Sequence, residues 1–314
     1  MLEKLRLNFS SLFGLLLLVL SVWAISNELR EYNYHDVLRS LATIPKSRLS
    51  LSIWLSGLGY LVMIWYDILG FKYIGRSLAF NKVAFTGFVS SVLGNTIGFA
   101  LLTGSAIRYR YYSSWGVPAL AIAQIIAFAN FTFWLGVFAV SGVIFLFNPL
   151  QIPTQTHLPF TSTRSIGVIF LLVVVSYLLG SIFIKQPLVI RGQEFRFPSF
   201  KISFAQVVVS SLDWMIAAAV LYFLLPANPS VSFLDVLRIY SLAMFAGVVS
   251  NVPAGLGVFE IVVLHFLKTK FSPVAILGAT LAYRAIYDLL ALLVAASLLG
   301  FYEIRYGARN IMNK

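Results

Sequence analysis

The sequence contains no cysteine, which removes disulfides, thiolate nucleophiles and cysteine-based metal sites. Histidine is nearly as scarce. His35, His157 and His265 lie far apart in the chain and form no metal-spacing motif. Charge is sparse too: Asp, Glu, Lys and Arg make up 11% of the 314 residues, where a soluble domain carries about a quarter. Such a chain lacks the polar surface needed to stay dispersed in water. There is no HExxH, GxSxG or Walker pattern, and no cluster supplies a nucleophile with a base. The GxG within PAGLGVFE lacks the strand–turn–helix setting of a dinucleotide site. The expectation is a non-enzymatic chain with no cofactor and no metal.

What the sequence has instead is apolar length. Hydrophobic residues make up 60% of it, mean hydropathy is +0.89, and the charges sit in short clusters between long uncharged runs. About 20 apolar residues cross the hydrocarbon core of a bilayer, and runs of that size recur throughout. The reading is an all-α polytopic membrane protein with roughly seven to nine transmembrane segments, two of them broken or re-entrant. Residues 1–314 form a single integral membrane domain, with a loose division into halves at 1–148 and 164–305. The net charge of +12 follows from Lys and Arg gathering in cytoplasmic loops and attracts anionic headgroups, so membrane and phospholipid are the expected partners, and nucleic acid is not. At the N-terminus, Lys4 and Arg6 precede an apolar run from Phe9 to Ser26. That run is long for a signal sequence and is followed by Asn27, Glu28 and Leu29 rather than a small-x-small site. It reads as a retained first span.

Further along, Val37, Leu38 and Leu41 mark an interfacial helix within residues 28–48. Spans are expected at Leu49–Leu69, Ala129–Phe147, Ser165–Ile184, Ile202–Leu225 and Val274–Tyr302, with a short helix at Pro118–Phe128. Two segments break this pattern. Val83–Ile107 is uncharged but carries Gly87, Gly94, Asn95, Gly98 and Gly104. Glycine costs about 1 kcal/mol in a helix interior, and irregular backbone at membrane depth survives only inside protein or along a cavity. A re-entrant hairpin or unwound helix breaking at Asn95 is the preferred reading, a straight glycine-rich packing helix the alternative. The second segment, Ile239–Leu267, contains NVPAGLG (Asn251 to Gly257), where Pro253 removes a backbone donor. Paired discontinuous helices in the two halves point to a transporter's substrate site.

Lys and Arg counts place the N-terminus in the cytoplasm together with Lys72, Arg76, Lys82, Lys185, Arg191, Arg196, Lys201, Arg305, Arg309 and Lys314. Arg108 and Arg110 join them only if Val83–Ile107 returns to the face it entered from. The uncharged linkers 148–163 and 226–232 then lie outside.

An ionisable group at the bilayer centre costs about 2.5–3.5 kcal/mol on insertion scales, so each one in an apolar run is a candidate for function. Asp213, inside VVVSSLDWMIAAAVLYF, stands out most; its alternative is a structural pair within the bundle. Glu260 follows the second break and either caps a helix or lines a cavity. Arg284 and Asp288, four residues apart, either neutralise each other or face a substrate. Arg108 and Arg110 are interfacial anchors with Tyr109, Tyr111 and Tyr112 as an aromatic belt, or hold a lipid phosphate in a bidentate fork. Asp67 sits near the end of its span. Asn95 and Asn251 mark the two breaks.

The stretches WYDILGFKYIGRS and GNTIGFALLTGSAIRYRYY resemble the membrane domain of the multiple peptide resistance factors (MprF), the lysyl-phosphatidylglycerol flippase/synthases, and the stand-alone YbhN-type proteins of the same transmembrane family. SSLDWMIAAAVLYFLLP, SNVPAGLGVFE and YRAIYDLL follow in the family's order, so the resemblance runs from about residue 10 to 305. It implies a flippase of the bacterial inner membrane that carries a charged, in MprF relatives aminoacylated, phospholipid to the outer leaflet. In those relatives this confers resistance to cationic antimicrobial peptides. The family's functional acidic and basic positions fall on Asp67, Arg108, Asp213 and Glu260. No acyltransferase domain follows Lys314, so lysyl-lipid synthesis is not expected of this chain. Two rivals stand beside the flippase: a membrane subunit scaffolding a separately encoded lipid-modifying enzyme, and an intramembrane transferase with Asp213 or Glu260 as base. Homo-oligomerisation is compatible with each.

Overall fold

The computed structural model describes residues 39, 42, 44–97, 100–151, 162–190, 193–249 and 257–312. The expected first span at Phe9–Ser26, most of the interfacial segment, Gly98 and residues 250–256 with Asn251 and Pro253 lie outside the described residues. The remainder is helical: α1 (Lys46–Tyr73), α2 (Phe80–Ile97), α3 (Ala100–Ser114), α4 (Ala119–Phe147), α5 (Arg164–Phe183), α6 (Phe200–Leu224), α7 (Phe233–Val249), α8 (Val258–Leu267), α9 (Pro273–Tyr283), a π-helical segment (Arg284–Leu290) and α10 (Ala291–Met312). One small exception interrupts the loop between α5 and α6. There β1 (Leu188–Ile190) pairs antiparallel with β2 (Gln193–Phe195), with Leu188 opposite Phe195.

Five of these stretches are long and apolar enough to cross a membrane: α1, α4, α5, α6 and the continuous run Pro273–Arg305. The fold is an all-α polytopic membrane protein. α5 shows how the sequence suits lipid. Its buried residues Gly167, Phe170, Val174 and Tyr177 form one stripe, while Ile169, Leu172, Val173, Val175, Leu179 and Ile182 point outward. In water that outward face would be costly; in hydrocarbon it is the solvated surface.

α1 and α6 lie antiparallel at the centre. Tyr66 on α1 bonds Asp213 on α6, Arg48 at one end of α1 donates to the Leu225 carbonyl, and Tyr73 at the other end donates to the Arg196 carbonyl. Small residues let the surrounding helices approach. A β-carbon on Gly136 of α4 would lie 2.8 Å from the Ser210 carbonyl oxygen of α6, so only glycine fits that crossing. Between the same helices and α5, Gln206 donates to Thr132 at 2.6 Å and accepts from Tyr177, and Ser203 donates to the Tyr177 hydroxyl. This closed polar chain satisfies each group without water, as burial in lipid demands.

α2 and α3 form a hairpin. A straight helix would separate Gly87 from Arg108 by roughly 30 Å, yet both approach Asp67: a β-carbon on Gly87 would stand 3.3 Å from its carboxylate, and Arg108 bonds it directly. Thr103 reaches the Leu93 carbonyl, and a β-carbon on Gly104 would stand 2.9 Å from the Ser90 carbonyl oxygen. The expected break at Asn95 is corrected. The helix runs through Asn95 to Ile97, because neither Asn nor the preceding Gly94 removes a backbone donor, and the chain reverses before Ala100. α7 and α8 fold back likewise: Tyr240 and Phe259, roughly 28 Å apart on a straight helix, have ring centroids 5.7 Å apart.

Contacts sort the loops into two faces. Tyr73 with Arg196, and Lys82 over the Trp115 ring, belong to one. Arg48 with Leu225, Arg238 with Asn148, and Asn228 with the Lys270 carbonyl belong to the other. The α2–α3 hairpin opens on the first face and the α7–α8 hairpin on the second. Two further expectations change. The short helix at Pro118–Phe128 merges into α4, since no proline interrupts Ala119–Phe147. The last span carries the π-helical segment at its middle.

Candidate functional site

Six of the ionisable residues singled out by their burial cost fall into three groups inside the bundle. The first joins α1 to the first hairpin. Asp67 is wholly buried, and Arg108 on α3 grips it with two bonds of 2.8 Å, Nε to Oδ1 and Nη2 to Oδ2. Tyr112, one turn further along α3, donates to the same Oδ1 at 2.8 Å. The carboxylate thus receives three donors, and the guanidinium's fork faces a carboxylate in the geometry it would offer to a phosphate. Asp67 stands six residues before the end of α1, but its depth in the bundle, not its distance from the helix end, sets its environment.

The second group is Asp213, 2% exposed and at mid-length of α6. Tyr66 Oη donates to its Oδ2 at 2.8 Å, while Oδ1 has no hydrogen-bond partner. No cation bonds it among the described residues.

The third group belongs to the second hairpin and the last span. Glu260 reaches back from the first turn of α8 to accept the backbone N–H of Gly257 at 2.8 Å, a turn that Gly257 makes with φ of 77°. Its other oxygen accepts from Arg284 Nε at 3.0 Å. Arg284 also donates through Nη1 to Asp288 Oδ2 at 3.1 Å. Glu260 is therefore both a helix cap and an ionic partner. The π-helical segment puts Arg284, Tyr287 and Asp288 on one buried face. Its wider turn exposes carbonyls to side-chain donors: Tyr60 bonds the Tyr287 carbonyl at 2.9 Å, and Ser56 approaches that of Ile286. π-segments inside helices occur often at functional sites.

Arg110 stands apart, near the first face, where its Nη2 meets Glu303 of α10 at 2.6 Å and Tyr111 donates to the same oxygen at 2.7 Å. The expected aromatic belt is corrected here. Tyr109 faces outward, but Tyr111 and Tyr112 are buried because their hydroxyls find carboxylates inside. Among the described residues, Asn95 makes a long contact of 3.8 Å to the sulfur of Met63. Asn251 lies outside the described residues.

The groups are linked by tyrosines that sequence reasoning missed. Tyr60, Tyr287, Tyr283 and Phe259 stack in succession, with centroids 5.3, 5.1 and 5.6 Å apart. Phe88 of α2 meets Tyr60 edge-on at one end, and the Arg284 guanidinium lies over Phe259 at the other. Tyr240 and Tyr283 share a hydrogen bond of 2.9 Å. The signal was available: Tyr283 and Tyr287 are four residues apart in the last apolar span, each directly before a charged residue (Arg284 and Asp288), and a hydroxyl buried there needs a partner. Among the described buried side chains, four carboxyls (Asp67, Asp213, Glu260, Asp288) face two guanidiniums (Arg108, Arg284). With all of them ionised, the interior carries an excess of negative charge.

No protein-family model matches the chain. An uncharacterized protein of Synechocystis sp. is 44% identical over 302 residues, which cover 96% of this chain and 94% of that protein. The Phosphatidylglycerol lysyltransferase of Staphylococcus aureus is 24% identical over 291 residues, 92% of this chain but 33% of that protein. The Inner membrane protein YbhN of Escherichia coli is 31% identical over 268 residues, 85% of this chain and 83% of that protein. With that coverage on both sides, and with helices that suit a membrane along the matched length, the chain belongs to the YbhN family of membrane proteins.

Proposed function

We propose that this protein moves a charged phospholipid between the leaflets of a bacterial inner membrane, the headgroup passing along the α1–α6 seam while the acyl chains stay in lipid. One observation carries the reading. Two hairpins enter from opposite faces, and each presents an ionic side chain to a buried partner: Arg108 to Asp67 on α1, and Glu260 to Arg284 on the π segment, which also bonds Asp288. Discontinuous helices meeting around buried charges are the usual construction of a transporter's substrate site, and intramembrane charges of this cost mark pathways more often than scaffolding. In this scheme a headgroup phosphate competes with Asp67 for the Arg108 fork. A cationic headgroup, such as an aminoacylated one, is drawn to the carboxylates of Asp213, Glu260 and Asp288, which outnumber the Arg284 guanidinium beside them. Arg110 holds the base of the first hairpin, and Asn95 lies two residues before the end of α2. The inner-membrane setting follows the Escherichia coli relative, an inner membrane protein; the lipid class follows the Staphylococcus aureus phosphatidylglycerol lysyltransferase. The same match favours a second reading, in which the chain is a membrane subunit serving a separate lipid-modifying enzyme.

The test is transport by the purified chain in vesicles of phosphatidylglycerol and phosphatidylethanolamine. Acyl-labelled phosphatidylglycerol and acyl-labelled lysyl-phosphatidylglycerol are followed by quenching from outside. Wild type is expected to move one of these lipids, and Arg108→Ala or Asp213→Ala to abolish that movement in protein that still elutes as a single species. Equal movement in both variants removes these residues from the pathway. No movement by wild type, combined with co-purification of a lipid-modifying enzyme, favours the second reading.

A further inference from the structure

Asp213 differs from the other buried carboxyls in what surrounds it. Asp67 has a bidentate arginine, and Glu260 and Asp288 share another. Asp213 has one neutral hydroxyl, Tyr66 at 2.8 Å, and an Oδ1 with nothing to accept from among the described residues. The elements packed around it offer no compensating cation within hydrogen-bond reach. α1 presents Tyr66 to the carboxyl, Tyr240 of α7 meets the neighbouring Trp214 ring, and Tyr287 of the π segment packs on Tyr60 beside the α1–α6 crossing at Gly59. Asp288, itself acidic, is bonded to Arg284, which also holds Glu260. α9 adds Tyr283, and α5 adds Tyr177 two turns away, bonded to Gln206. On α4, Thr132, Phe133 and Gly136 face α6, and none of them titrates. An isolated carboxylate in such a place resolves its desolvation cost by taking up a proton. The Tyr66 contact suits both forms, since the hydroxyl donates to a carboxylate and accepts from a carboxyl.

We propose that Asp213 is a proton-exchange site: it holds a proton while closed between α1 and α6 and gives it to water when that seam opens, so that headgroup passage and proton movement are coupled. The coupling half of this rests on the transport reading above; the exchange half does not. The step is a simple one. The carboxyl O–H bond breaks, the proton leaves on a water molecule, and the carboxylate left behind takes the cationic part of an entering headgroup. Return of the proton expels it. The charge within the seam is the same before and after, which is the energetic reason for the exchange.

Two measurements separate the halves. The first is infrared titration of the detergent-purified chain. A protonated-carboxyl band present in wild type, absent from Asp213→Asn and fading as pH rises is the expected result. Tyr66→Phe, which withdraws the donor to the charged form, is expected to move that fading to higher pH. A band that persists in Asp213→Asn, or one that does not respond to pH, overturns the proposal. The second uses the vesicles described above with a trapped pH dye. Lipid movement by wild type is expected to change several-fold when a pH gradient is imposed and to carry protons, with neither response in Asp213→Asn. Lipid movement indifferent to gradients of either sign overturns the coupling alone. No lipid movement with or without a gradient overturns the transport reading, and the infrared titration then decides proton exchange without it.

Discussion

Asp67 accepts three hydrogen bonds and Asp213 one, so the same side chain placed twice in one bundle meets two different environments. Around Asp67 the Coulomb attraction and the donors offset desolvation only as a set. Breaking a buried pair by removing one partner costs about 3–5 kcal/mol, because the other charge is left stranded. Asp67→Asn is therefore expected to lower the melting temperature of the detergent-purified chain by several degrees, and Arg108→Gln by a similar amount. The double variant Asp67→Asn with Arg108→Gln is expected to melt above either single one. Additive losses would mean that the pair is not coupled in the folded protein. The cost of charge in lipid made Asp67, Arg108, Asp213, Glu260, Arg284 and Asp288 legible in the sequence. Their pairing was less so: Asp67 and Arg108 are 41 positions apart, and nothing local says that one hairpin arm brings them together. The tyrosines escaped because a buried Tyr in an apolar run resembles any other aromatic until its hydroxyl is seen to have a partner.

At the scale of elements, the first hairpin depends on how closely its arms approach. Gly104 faces backbone at Ser90, which cannot rotate aside as a side chain would. Gly104→Val is expected to destabilise the chain by about 1–3 kcal/mol through overpacking and to pull Arg108 from Asp67. Gly57→Ala is the control, since a β-carbon there meets nothing within 4 Å; its melting temperature is expected to stay within a degree or so of wild type or rise slightly. Thermal melting of both variants, read by loss of the monodisperse peak, checks the contrast. The crowding of glycines between Gly87 and Gly104 was the readable sign of this hairpin. Asn95 misled as to where it turns, because a residue that tolerates a break does not impose one. The π-helical segment left no such sign. Arg284 and Asp288 fit an ordinary helical turn in sequence, and the widened register arises from what packs on it: Ser56 and Tyr60 from α1, and Glu260 from α8.

For the molecule as a whole, the decisive matter is sidedness. A chain with loops on two faces and one hairpin opening on each has a topology that neither hydropathy nor length counts alone can yield, because a hairpin and a span contain similar numbers of apolar residues. The positive charges helped: Arg108 and Arg110 could share a face with Lys72, Arg76 and Lys82 only if the intervening segment turned back. The absence of cysteine makes the arrangement directly measurable, since every thiol introduced is the only one present. Asn81 and Ser113 flank the first hairpin and are exposed, as are Ala227 and Thr269 around the second. Single substitutions Asn81→Cys and Ser113→Cys are expected to resist an impermeant maleimide in intact cells and to react once the membrane is opened. Ala227→Cys and Thr269→Cys are expected to react in intact cells. The pairing within each hairpin tests the fold independently of orientation. If Val83–Ile107 crossed the membrane as one straight helix, Asn81→Cys and Ser113→Cys would label from opposite faces. Arg108 would then stand roughly 30 Å from the level of Gly87, beyond the reach of Asp67, and the first ionic group of the proposed pathway could not assemble.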